Sequence, residues 1–222
     1  MSERPEPALY GHPFSSYTWK AQIAFDAGEI AHEFRVIDAE HPEHHAFVAE
    51  HAGPWGLFPV LDHDEQVVFE ATSIIEYANR HLAPVVPLLA PQPDAANAMR
   101  MLDRVFDNYV MAPVSAIVGE HLRDGGADEA RCAQARERLR KSYAWIEGWL
   151  AMYPYQATGV TLIECSAAPS LFYADWVAPI GDEFRRLKAW RAYLNALPPV
   201  ARCIERARPY RARFPLGGPE RD

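Results

Sequence analysis

Residues 53–82 read GPWGLFPVLDHDEQVVFEATSIIEYANRHL, and the order of signals in this stretch decides the fold. A turn at Gly53, Pro54 and Gly56 leads into FPVLD (58–62), an apolar run with Pro59 at the opening of the strand, where proline is tolerated. His63, Asp64 and Glu65 supply a second turn, and QVVFE (66–70) is the next strand. TSIIEYANRHL (72–82) then has the apolar spacing of a helix.

Upstream, ALYGH (8–12) and HEFRVID (32–38) read as buried strands, with a helix between them that starts near Ser16 and ends at Gly28. PEHHAFVAEHA (42–52) is a further helix, so residues 1–82 run βαβ and then αββα. Ala83–Pro93 (APVVPLLAPQP) carries Pro84, Pro87, Pro91 and Pro93, a spacing that forbids helix and favours a semi-rigid linker. Downstream the pattern is helical. A long helix is expected over 94–122, kinked at Pro113, and Gly125-Gly126 separates it from a second. Thr161 and Glu164 form a T-x-x-E capping box ahead of CSAAPSLFYADWV, and DEFRRLKAWRAYLNAL and PVARCIERA give a last helix pair.

The chain has 222 residues, 49% hydrophobic and 23% charged, which suits a globular protein with a full core. Its 22 basic and 30 acidic side chains leave a net charge of −8, so nucleic acid is not an expected partner. Cys132, Cys165 and Cys203 are an odd set with no CxxC, which argues against a disulfide framework or zinc site and for a reducing cytoplasm. The start, MSERPEPALYGHP, lacks a signal-peptide pattern, and no run approaches the roughly 18 apolar residues of a membrane span, so a soluble cytoplasmic protein is expected. His41, His44, His45 and His51 match no zinc spacing, and Glu40, Glu43 and Glu50 beside them suit an exposed acidic helix, so no metal is expected.

The order βαβ-αββα, with a proline opening the third strand, is the thioredoxin-like arrangement. With an all-helical region behind it, the chain resembles the glutathione S-transferase family in its bacterial, serine-type form. The resemblance rests on PFSSYTWKAQIAF, GPWGLFPVLD, FEATSIIEYANRHL, FDNYVMAP, VTLIECSAAPSLFYADWV and LKAWRAYLNALPPV, taken in order and at their spacing. It implies an α/β thioredoxin-like N-terminal domain over 1–82, a linker over 83–93 and an all-α domain over 94–222. It also implies glutathione as co-substrate, a small hydrophobic electrophile walled by the second domain, and a homodimer. The rival reading is a non-catalytic dimer of the same fold, a scaffold or binding module with a weakened glutathione site.

Ser15 stands between the first strand and first helix, where serine-type members keep a hydroxyl facing the glutathione sulfur. No cysteine lies near, so thiol–disulfide exchange by the protein itself is excluded there. A hydroxyl at a positive helix end stabilises a bound thiolate, although capping that helix is by itself a sufficient reason for serine. By the same resemblance the Phe58–Pro59 bond is cis, with the Phe58 backbone turned to the cysteinyl unit. Glu70 meets the γ-glutamyl end, although a first-turn carboxylate also suits the helix dipole alone. After that acid the family has a serine and this chain has Ala71. Thr72 offers a hydroxyl, but one residue further on points about 100° around the helix. Leu57 replaces a lysine that many relatives use to meet a glutathione carboxylate.

By the same resemblance, Asp103, Arg104, Phe106, Asp107, Asn108 and Tyr109 lie on the helix that faces both the first domain and the partner subunit, and most of that stripe is expected as core at helical spacing. Tyr109, Met111 and Phe172 are candidates for the electrophile pocket, while Trp145, Trp149, Trp176 and Trp190 are expected to fill the helical core and His12 to be structural.

Overall fold

The computed structural model describes residues 5–152 and 159–222; Met1–Arg4, part of the start scanned for a signal peptide, lie outside them. Strands β1 (Ala8–Gly11), β2 (Glu33–Val36), β3 (Val60–His63) and β4 (Gln66–Phe69) form one sheet in the order β2-β1-β3-β4. β1 runs parallel to β2 and antiparallel to β3, and β3 and β4 make a hairpin. Asp64 and Glu65, both at positive φ, form its two-residue turn, the conformation whose twist matches that of the strands. β3 starts at Val60, just after Pro59, because proline has no N–H for the ladder. The reading of 32–38 as buried is corrected: β2 lies at the sheet edge and is partly exposed along its length.

Helix α1 (Ser16–Ala27) joins β1 to β2, α2 (Pro42–His51) leads to β3, and α3 (Ala71–His81) follows β4. Residues 82–92 hold no helix or strand. Helices α4 (Pro93–Val105), α5 (Ala112–His121), α6 (Glu129–Met152), α7 (Leu162–Val177), α8 (Arg185–Ala196) and α9 (Pro198–Ala207) complete the chain with a 3₁₀ turn, Arg208–Arg213. α7 is buried on every side, as an apolar helix must be, and its start carries the expected Thr161–Glu164 capping box.

Between α4 and α5 the helix widens to a π-helical stretch, Phe106–Met111, ahead of Pro113. Pro113 leaves the Tyr109 carbonyl without its usual donor, and the Ser142 hydroxyl supplies one at 2.6 Å. Trp19, fully buried on α1, packs on Phe172 and Tyr173 of α7 with ring centroids 5.0 and 5.5 Å away, so one core runs from the sheet into the helices. Trp176 and Trp190 sit in that core, but Trp145 is 48% exposed on α6, contrary to expectation.

Candidate active site

Two concavities meet at the N-terminal turn of α1. A cleft of about 440 Å³ has Phe58, Pro59, Glu70 and Ala71 on one side and Arg104, Asp107 and Asn108 on the other. A groove of about 450 Å³ runs from Phe14, Ser15 and Ser16 past Met111, Val114 and Val118 to Phe214. Tyr17 lines both. Of the residues expected at the site, four therefore share the cleft and Ser15 stands in the adjoining groove.

Ser15 is the N-cap of α1: its backbone is extended and its Oγ accepts from the Thr18 N–H at 3.3 Å. That bond uses an oxygen lone pair and leaves the hydroxyl proton free, so capping and donation to a sulfur are compatible. The turn before it is held from the helical side. The Tyr173 hydroxyl donates to the Phe14 carbonyl at 3.0 Å, and the Trp19 indole N–H donates to the Pro13 carbonyl at 2.6 Å. Gly11 lets this turn close, because a Cβ there would lie 2.6 Å from the Thr18 side chain, whose Oγ1 accepts from the His12 N–H. His12 itself is structural: its Nδ1 accepts from the Phe14 N–H at 3.1 Å and its ring meets Tyr210.

Tyr17 was not singled out by the sequence. Burial, reinforced by the Asp107 and Glu70 carboxylates, pushes its phenol up to about 12, so it remains an O–H donor at neutral pH.

The Phe58–Pro59 peptide is cis. Glu70 occupies the N-cap position of α3 at φ 69° and ψ 117°, a left-handed conformation that costs a non-glycine residue of order 1–3 kcal/mol. Its side chain makes no capping bond, so the α3 N-terminus keeps its positive end for another acceptor. Thr72 is turned away toward α4: its hydroxyl donates to Asp103 Oδ2 at 2.9 Å and accepts from Arg104 at 2.6 Å. Those bonds take up the hydroxyl that would have replaced the missing serine.

Behind the cleft lies an ion cluster that joins α1 to α4. Lys20, 2% exposed, meets the fully buried Asp103 at 2.5 Å and Asp107 at 2.9 Å. Arg104 pairs with both aspartates, and the Ser166 hydroxyl donates to Asp103. Burial alone would push the Asp103 carboxyl up, but Lys20, Ser166 and Arg104 together hold it below the usual carboxylate range. Burial dominates at Asp107, which stays above that range despite Lys20. The signal available in the sequence was Lys20 itself, a cation inside the apolar run YTWKAQIAF that demands buried acids.

Met111 lines the groove as anticipated. Phe172 does not, since it is buried against Trp19, and Tyr109 is 58% exposed in a separate surface groove with Trp145. Leu57 and Trp55 stand exposed at the rim of the cleft, and among its described lining residues Arg104 is the one cation. His41 and His44 stack on each other, with His41 Nδ1 on Asp38 and His44 Nδ1 on the Val36 carbonyl.

Residues 9–84 match the family model described as glutathione S-transferase, N-terminal domain. Glutathione S-transferase PARB of Nicotiana tabacum is 22% identical over 206 residues, covering 89% of this chain and 97% of that protein. Glutathione transferase F7 from Populus trichocarpa superposes with a TM-score of 0.75 at 21% identity, covering 90% of this chain and 98% of that one. A glutathione S-transferase from Methylobacillus flagellatus, solved with glutathione bound, gives a TM-score of 0.77 at 20% identity, over 89% and 98% of the two chains. By sequence, residues 9–84 are a glutathione S-transferase N-terminal domain, and the chain as a whole has the glutathione S-transferase fold.

Proposed function

We propose that the protein is a glutathione transferase that conjugates the thiol to a small hydrophobic electrophile. Glutathione occupies the cleft, with its cysteinyl unit against the Phe58 backbone beside Pro59. Its γ-glutamyl end lies at Glu70 and at the first-turn amides of Ala71 and Thr72. The Ser15 hydroxyl donates to the sulfur. The thiolate then forms a C–S bond with the electrophilic carbon held in the groove, the leaving group departs with its bonding pair, and the thiol proton passes to solvent. The observation that carries this reading is the meeting of a polar cleft and an apolar groove at a capping serine whose proton is free. Calorimetric titration tests it: glutathione binds, and its S-alkyl conjugates bind more tightly because the alkyl group enters the groove. No binding of either at millimolar concentration overturns the proposal.

The second reading, a non-catalytic dimer, draws on Ala71 and on Leu57, which is 64% exposed at the rim where a cation is expected. Ala71→Ser tests the weakened glutathione site on which this second reading draws. Restoring one hydroxyl bond to a carboxylate is worth roughly 1.5 kcal/mol or more, so glutathione binds about tenfold tighter in the variant, with little change in the pKa of the bound thiol. Unchanged affinity removes the γ-glutamyl end from Ala71.

We further propose a cytoplasmic homodimer whose subunit divides at 83–93. Support for pairing comes from Met101, Tyr109 and Trp145, large apolar side chains each about half exposed on α4, the π-helical stretch and α6. Light scattering at micromolar concentration returns twice the mass of one chain; a single-chain mass contradicts the pairing.

A further inference from the structure

The groove beside Ser15 is apolar over most of its wall, with Met111, Val114, Val118, Leu122 and Phe214. One charged side chain stands among its described lining residues, Arg213. The arginines around it are all matched: Arg208 and Arg211 pair with Asp222, and Arg221 pairs with Asp175. The Arg213 side chain has no carboxylate partner and no hydrogen bond among the described residues, unlike its neighbours Arg208 and Arg211. Its guanidinium lies 5.5 Å over the ring of Tyr210, which in turn packs on His12 with centroids 4.7 Å apart. The ring attracts the cation through its π-face, and the guanidinium N–H groups have no hydrogen-bond partner among the described residues, so they remain available to a planar carboxylate. The cation is placed in advance, so little side-chain freedom is lost when an anion arrives.

The molecule as a whole carries a net charge of −8, which repels small anions. Selection of an anion in this groove therefore has to be local. We propose that the electrophile accepted here has an apolar or aryl body bearing a carboxylate, and that Arg213 receives that carboxylate. The inference rests on reading the groove as the electrophile site, and it narrows a hydrophobic substrate to an amphiphilic, anionic one.

A matched pair of electrophiles tests it: 4-(chloromethyl)benzoate and its methyl ester, each with glutathione. In both, sulfur bonds to the benzylic carbon, chloride leaves with the bonding pair, and the thiol proton goes to buffer. After division by the uncatalysed rates, the wild-type kcat/KM favours the carboxylate by about fivefold, as an accessible ion pair of good geometry supports. Arg213→Gln brings that ratio close to one, Arg213→Lys keeps part of it, and about 0.5 M salt shrinks it in the wild type and in Arg213→Lys but not in Arg213→Gln. The two S-benzyl conjugates, titrated directly, show the same ordering of affinities. Turnover of both electrophiles with a ratio that Arg213→Gln leaves unchanged overturns the role of Arg213 while the transferase reading stands. Failure of the wild type to turn over either electrophile, or to bind either conjugate, overturns both together.

Discussion

Ser15→Ala slows conjugation of glutathione to a generic aryl halide about tenfold to a hundredfold at neutral pH, the effect of losing one charge-assisted bond of roughly 1.5 to 3 kcal/mol. A free thiol near pKa 8.5 is only about 3% ionised at pH 7, and lowering it by roughly two units needs about 2.7 kcal/mol of preference for the thiolate. In the proposed mechanism the Ser15 proton supplies that preference, because it favours the anion and the transition state derived from it over the neutral thiol. Affinity for glutathione therefore changes little. The apparent pKa of bound glutathione rises in the variant, so its rate deficit is widest in mildly acidic buffer and narrows as pH increases.

The structure adds a second consequence of the same substitution. Thr18 loses the acceptor for its N–H, and loss of such a cap removes about 1 kcal/mol of stability, or about 2–4 °C in Tm for a chain of this size. Ser15→Asp separates the two roles. Aspartate caps as well as serine does, so Tm recovers, but its carboxylate has no proton to give and sets a negative charge against the thiolate. The rate falls at least as far as in Ser15→Ala. A Ser15→Asp enzyme that regains both Tm and rate makes Ser15 a cap and nothing more. In that event Tyr17→Phe is the decisive variant, since the Tyr17 side chain lines both the cleft and the groove.

Local signals explain what was legible beforehand. Helix α1 lies at Ser16–Ala27 with Gly28 as its C-cap because a capping serine and a terminal glycine are properties of neighbouring residues. The β3–β4 hairpin and α3 likewise follow from turn chemistry and apolar spacing within residues 53–82. What the sequence left dark depends on contacts far apart in the chain. The exposure of β2 comes from its place at the edge in the order β2-β1-β3-β4, which no single strand's composition reveals. Thr72 looked available until Asp103 and Arg104, some thirty residues away, took its hydroxyl. Trp145 looked like core because tryptophan usually is, yet it faces outward from α6. The resemblance set the helix of Arg104, Asp107 and Asn108 against the first domain, but that these side chains wall a cleft instead of filling core was hidden, because helical spacing says which residues share a face and not which of them reach a cavity.

Lys20→Met produces the largest loss of stability, about 3–5 kcal/mol, because it leaves a buried carboxylate without its main partner. The side chain of Asp103 is fully buried and that of Asp107 nearly so, which cuts both carboxylates off from bulk solvent. Arg104 compensates only in part, since it already pairs with both aspartates from a position half exposed to solvent. The apolar stem of methionine fills the same volume, so packing loss contributes little and the effect is electrostatic. Two measurements distinguish this from a general weakening. Adding Asp103→Asn to Lys20→Met removes the orphaned charge while keeping groups that bond Thr72, Arg104 and Ser166, and it recovers at least half of the loss in a double-mutant cycle.

The pH dependence supplies the second measurement. In the wild type, Asp103 is held below the usual range, so its contribution is present above the unfolded carboxylate pKa and is lost as pH falls through the folded value. Without Lys20, burial governs and the carboxyl moves up, so protonation in acid relieves the variant. The gap between the two proteins is therefore wide at pH 7 and narrower near pH 4. High salt leaves it nearly intact, in contrast to an exposed pair such as Arg100–Glu76, whose removal costs less than about 1 kcal/mol. A Lys20→Met protein within about 1 kcal/mol of wild type at pH 7 would show that the cluster carries no net strain when opened. Arg104 and Asp107 line the cleft, so loosening of the cluster also reaches the site: glutathione affinity falls in the single variant and returns in the double one.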